Sequence, residues 1–154
     1  VKIAERFTLS EDRASEKDGM LTPLPMKPRA RDRRLLGAFR KKLEPAPKSA
    51  EKASGSAKYR IVQTALSETA FFNYARDEGR LYLVLNPEHP FYKLVYKPLL
   101  ESETPRDEAI RSQIDLLLLS AARTEALLEN DDELKLAERL RNGWSDTLAT
   151  FLNS

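Results

Sequence analysis

The chain has 154 residues, enough for one domain with a real core and too few for two comfortable ones. It contains no cysteine and a single histidine, which excludes disulfides, thiol catalysis, and thiolate or multi-histidine metal sites within one chain. The net charge of +2 conceals an asymmetry: residues 1–58 carry 15 Lys/Arg against 8 Asp/Glu, whereas residues 59–154 carry 11 against 16.

The opening segment, "VKIAERFTL", lacks the long apolar core of a signal peptide, and no uncharged run nears the ~18 residues that span a bilayer. A cytoplasmic protein without membrane contact is expected. Residues 1–26 alternate like a strand with nothing before them to pair with, then become charged and weakly patterned. They read as the tail of an upstream domain or as a disordered stretch. In "MLTPLPMKPRA", three prolines break regular structure.

The basic run 27–42, "KPRARDRRLLGAFRKK", holds eight Lys/Arg against one Asp. Lys27, Arg29, Arg31, Arg33, Arg34, Arg40, Lys41 and Lys42 are candidates for contact with nucleic-acid phosphates, through counterion release rather than base reading. The competing readings are an anionic membrane surface, an acidic partner, or a solvated helix, because Leu35, Leu36, Phe39 and Leu43 form a short helical stripe. The segment 44–58 is rich in Pro, Ala, Ser and Lys and reads as linker. Residues 27–58 are therefore expected to be a flexible basic tether, with the boundary near Lys58.

Residues 59–154 read as a compact α+β domain. "YRIVQTAL", "AFFNYA" and "RLYLVLN" are β-biased, and the "RDEG" between the last two suits a hairpin. The simplest arrangement is a small antiparallel three-stranded meander followed by two to three packed helices. Leu81, Leu83 and Leu85 point to one face of the third strand and Tyr82 and Val84 to the other, so that strand should be covered on both sides. A first helix opens at Pro90 and is interrupted by Pro98. A second has Thr104 as N-cap and Pro105 at N1, with Ile110, Ile114, Leu117, Leu118 and Ala121 on one face. Its middle is apolar nearly all round, as in a buried helix. A third starts near Asn130 and carries a continuous stripe through Leu134, Ala137, Leu140, Trp144, Leu148 and Phe151, despite Gly143. Where Trp144, Leu148 and Phe151 exceed what a small sheet can cover, they would form a dimer or domain interface.

His89, in "NPEHP", stands between strand and helix and reads first as a turn residue bonded to backbone, second as a general base. No partner constellation accompanies it, so no catalytic residue is assigned. "ENDDE" at 129–133 lacks the alternation and glycine of a calcium loop and suits a helix N-terminus, so no metal site is assigned.

The passage "YRIVQTALSETAFFNYARDEGRLYLVLNPEHPFYKLVY", with "IDLLLLSAARTEALL", resembles the C-terminal region of bacterial and phage ATP-binding proteins of the gyrase/chaperone/histidine-kinase/mismatch-repair (GHKL) superfamily. The matching positions are Asn86, His89, Pro90, Phe91 and Tyr92, then Leu116 to Ala122 and Glu125, within residues 59–130. The superfamily's ATP-binding loops have no counterpart here. The resemblance implies a non-catalytic coupling or dimerisation domain, partnered by an upstream ATPase domain and by a second copy. ATP and magnesium would be bound only by that upstream domain. The alternative is a nucleic-acid-binding accessory module using residues 27–42.

Overall fold

The computed structural model describes residues 6–40, 58–66 and 69–153. It is α+β. Helices α1 (Thr8–Lys17) and α2 (Ala30–Phe39) precede strands β1 (Tyr59–Gln63), β2 (Phe72–Asp77) and β3 (Arg80–Leu85). Then come a π-helical turn (Phe91–Tyr96), α3 (Lys97–Glu101), α4 (Pro105–Ala126) and α5 (Asp131–Leu152).

The sheet is mixed, not an antiparallel meander. β3 is central, parallel to β1 (Tyr59 beside Leu81, Gln63 beside Leu85) and antiparallel to β2 (Phe72 beside Leu85, Asp77 beside Arg80). The reason lies in loop length. Eight residues separate Gln63 from Phe72, more than a tight hairpin uses. They carry the chain across the end of β3, where Thr64 N–H donates to the Leu85 carbonyl (3.1 Å) and Asn86 N–H to that of Phe71 (3.1 Å). The β2–β3 connection is the expected hairpin. Its two loop residues, Glu78 and Gly79, both have positive φ (51° and 79°), the geometry that matches strand twist.

Both faces of β3 are covered, as its sequence implies. Leu81, Leu83 and Leu85 join Ile61, Phe72 and Tyr74 in the larger core, under α1, α3, α4 and α5. Tyr82 and Val84 join Val62 and Ala75 in a smaller core beneath Leu36 and Phe39 of α2. The short helix assigned to a flexible tether is thus the layer on the sheet's second face. Its two buried apolar residues lie on one side three positions apart, and Leu35 packs partly buried beside them. Likewise, the described part of the opening stretch is helical from Thr8 rather than a strand, with Phe7 in the main core and Ser10 buried against α4. Among the described residues the expected boundary near Lys58 does not divide the packing. The expected linker 44–57, with Lys41 and Lys42, lies outside the described residues.

Pro98 does not end the helix begun after Pro90. Its ring would crowd the carbonyl four residues back in a regular α-helix. The preceding turn is π-helical, with Lys97 N–H donating to the Tyr92 carbonyl, and α3 continues past the proline. Thr104 caps α4 by accepting from Asp107 N–H (3.2 Å), and Asn130 caps α5 through Asp132 and Glu133 N–H. The buried face of α4 is not the expected apolar stripe. Arg111, Ser112, Asp115 and Arg123 are buried beside Leu118, Leu119 and Ala122, while Leu117 is 65% exposed. Among the described residues no helix is long and apolar enough to cross a membrane.

Candidate functional site

His89 is the N-cap of the turn that follows it. Phe91 N–H donates to Nδ1 (3.0 Å), which places the proton on Nε2, where it donates to the Ser145 carbonyl of α5 (2.9 Å). Both ring nitrogens are committed to backbone, so His89 has no nitrogen available to act as a base. Its neighbours serve the same joint. Asn86 Nδ2 donates to the Ala70 carbonyl (2.9 Å), and Phe91 packs edge-on against Phe71 at 5.1 Å. Tyr92 stacks on Tyr96 at 5.7 Å, with Pro90 holding the first helical position between them and the cap. Ser145 Oγ accepts from Phe71 N–H (3.0 Å), and Trp144 meets Phe71 at 4.9 Å. The family-like residues are therefore the seam that clasps α5 to the end of the sheet.

His89→Ala leaves the Phe91 amide and the Ser145 carbonyl without their partner and is expected to cost about 2–3 kcal/mol. His89→Asn should recover about 1 kcal/mol, because asparagine restores the cap but cannot reach α5. Urea unfolding of the three proteins checks the order; equal loss in both variants would contradict the two-bond account.

The remaining polar chemistry gathers in three buried nodes, each joining residues 6–40 to the rest. At the first, Asp115 of α4 accepts from Ser10 (2.8 Å), Arg111 (2.8 Å) and the Tyr96 hydroxyl, while Arg111 also donates to the Arg6 carbonyl. Burial outweighs these hydrogen bonds and the Arg111 charge, so the Asp115 carboxyl sits above its usual range. Burial and the adjoining Asp115 charge push the Tyr96 hydroxyl up as well. At the second node Asp18 accepts from Arg123 Nε (3.1 Å), Lys58 (3.3 Å) and the Tyr59 hydroxyl. Here burial works to raise the carboxyl, but the hydrogen bonds from Tyr59 and Lys58 and the Arg123 charge win and hold it low. Tyr59 is pushed up to about 12, first by burial and then by Asp18.

The third node is the candidate site. Asp32, fully buried at the start of α2, accepts from Arg29 Nε (2.7 Å), Arg29 N–H (2.9 Å) and Arg31 (3.0 Å), with Arg76 Nε at 3.8 Å. Burial raises the Asp32 carboxyl less than these hydrogen bonds and charges lower it, so it stays anionic. Around the Tyr74 ring stand the guanidinium groups of Arg31 (4.1 Å), Arg141 (5.4 Å) and Arg29 (5.7 Å). Arg141 pairs with Glu125, and Arg76 with Glu129 (2.8 Å). Two adjoining clefts of about 260 and 350 Å³ open here, sharing Arg31, Arg34, Glu138 and Arg141. Planar guanidiniums facing a cleft suit an oxyanion, yet most of their charge is already met by Asp32, Glu125 and Glu129. Among the described residues, no group of three or more His, Asp or Glu is placed to hold a metal ion.

The basic run thus has two fates. Arg29 and Arg31 turn inward to Asp32, and Arg40 pairs with Asp77. Lys27, Arg33 and Arg34 stay exposed on α2 or just before it. Of the residues expected at an interface, Trp144 and Phe151 are exposed, whereas Leu148 packs against the main core. Sequence reading missed Asp115, Arg111, Arg123, Asp32 and Arg141. The one available signal was Arg111 and Asp115, four apart inside an apolar helix, where a charged pair on the core side must be satisfied internally. No family model, curated protein or solved structure matches this chain.

Proposed function

We propose that this chain is a non-catalytic coupling and dimerisation domain acting with an upstream ATPase of the GHKL type. The observation that carries the coupling half is the set of three buried ionic nodes. Each ties the stretch before Lys58 to α4 or the sheet: Ser10 to Asp115, Asp18 to Arg123, and Asp32 to Arg76. A movement imposed on that stretch by a preceding domain would therefore be passed to α4 and the sheet rather than lost in a slack tether. Buried charge networks tolerate few alternative geometries, which is what a transmitting element requires.

ATP and magnesium belong to the upstream domain in this reading. The purified chain is expected neither to bind nor to hydrolyse Mg-ATP, and turnover that survives removal of contaminants would refute the assignment. The reading frame upstream of residue 1 is the second test. It should encode a Glu-x-x-x-Asn helix and an Asp-x-Gly-x-Gly loop, and an initiation codon there instead would remove the ATPase.

A further inference from the structure

Helix α5 carries two apolar faces; the fold covers one and touches the other only at its edge, where Trp144 meets Phe71 and Phe72. Leu148, with the buried Arg141 and Ser145, faces the sheet. Leu136, Leu140, Trp144 and Phe151 are 56%, 66%, 47% and 75% exposed. At 100° per residue these four fall within about a quarter turn of one another, a stripe running most of the ~33 Å length of the helix. Such a stripe exposes on the order of 500 Å², near the upper limit for an isolated monomer surface.

Gly143 borders the stripe, about 20° beyond Leu136 around the helix and midway along its length. A Cβ there would meet nothing within 4 Å, and the residue has ordinary helical geometry, so neither packing nor backbone conformation within the chain calls for glycine. A mid-helix glycine costs about 1 kcal/mol relative to alanine. What it does provide is a low point at which a second helix can approach closely.

We infer that this face binds a second copy of itself, the two α5 helices crossing antiparallel about a two-fold axis at Gly143. That axis brings Leu136 to within one residue's rise of the second copy's Phe151, Leu140 likewise to its Thr147, and Trp144 beside its Gly143. Charge selects the antiparallel copy. Arg139 and Asp146 both flank the stripe on the same side, three residues to either side of Asn142 and Gly143. In an antiparallel two-fold pairing like flanks meet, so Arg139 faces Asp146 twice. Two such faces bury roughly 1,000 Å² together, the size at which specific association begins. The inference supplies the partner for the dimerisation half of the proposed function, and its test needs no ATPase.

The test is sedimentation equilibrium on the 154-residue chain with three variants, and oxidative cross-linking of two more. The parent chain should form a concentration-dependent dimer, and Leu140→Glu should weaken it roughly tenfold or more. Arg139→Asp should weaken it by roughly fivefold, and adding Asp146→Arg should restore it. Because the chain has no cysteine, Gly143→Cys reports the crossing directly. Mild oxidation should link two copies through position 143. Arg139→Cys should not link, since its two copies are displaced by about 12 Å along the helices. A parent chain that stays monomeric at every concentration overturns the inference, as does a dimer indifferent to Leu140→Glu that Gly143→Cys fails to cross-link. Either failure leaves the ATP and upstream-sequence tests of the coupling reading intact.

Discussion

Asp32→Asn is expected to destabilise the domain by about 3–5 kcal/mol, the range for removing one member of a buried charge network. Asparagine fills the same space, so the loss is electrostatic rather than a cavity. Arg29, Arg31 and Arg76 would keep their positive charges around a neutral amide that is itself fully buried. The damage should spread through α2, because the node anchors the helix that lays Leu36 and Phe39 over the sheet. Urea unfolding should show a lower midpoint, with fluorescence or exchange changes first at Tyr82, beneath Phe39 (5.4 Å between rings). The sign with pH follows from the depressed carboxyl. Its contribution is present above the unfolded-state value and is lost as pH falls through the folded one. The variant should therefore lose part of the parent's acid sensitivity. An Asp32→Asn protein within about 1 kcal/mol of the parent would show that the arginines are satisfied without the carboxylate.

Glu11 acts in the opposite direction. Its Oε2 accepts the outward Ile61 N–H of edge strand β1 (2.7 Å), so α1 covers an edge that would otherwise be open to another strand. Burial pushes this carboxyl up to about 7; the Ile61 hydrogen bond and Arg60 oppose the rise, and Asp12 and Asp115 add to it. A raised carboxyl binds its proton more tightly folded than unfolded. Its contribution is complete below the ordinary value of 4.5 and is lost as pH rises through about 7. The size is about 3 kcal/mol over that interval. Glu11→Gln keeps the acceptor and removes the titration. It should match the parent near pH 4 and exceed it by about 3 kcal/mol near pH 8. Unfolding curves across that range measure the difference. Two parallel stability profiles would mean that Glu11 is solvated well enough to ionise freely.

The parts of this protein legible in the sequence share one property: they depend on near neighbours in the chain. Thr104-Pro105 begins a helix because an oxygen and an absent N–H are needed within three residues of each other. Asn130 does the same for α5. The turn at Glu78-Gly79 follows from Gly79, which takes a positive φ without steric cost between two apolar strands. The two-sided burial of β3 was visible in its unbroken run of apolar side chains. His89 reads as a turn residue bonded to backbone because of its place between two prolines, and hydrogen-bond geometry of that kind is local.

Pairing across distance was not legible. Whether β1 would lie beside β2 or beside β3 turns on which apolar faces are buried together, and both arrangements use the same alternation. The buried face of α4 was misassigned because leucines surround the helix. Only the positions of Ser10, Tyr96 and Asp18 decide that Arg111, Asp115 and Arg123 face inward. The basic run shows the same limit most sharply. As sequence it is a string of charges equally suited to phosphates or water. Asp32, Asp77 and the ring of Tyr74 turn half of its described members into struts. By itself, then, the sequence determined the helix caps, the β2–β3 turn, the absence of thiol chemistry and the double cover of β3. The tertiary structure decided the sheet order, the packing of residues 6–40 and the fate of each charge. A helix cap is settled by a few adjacent atoms, whereas a buried charge is settled by whichever partner the whole fold brings within about 3 Å.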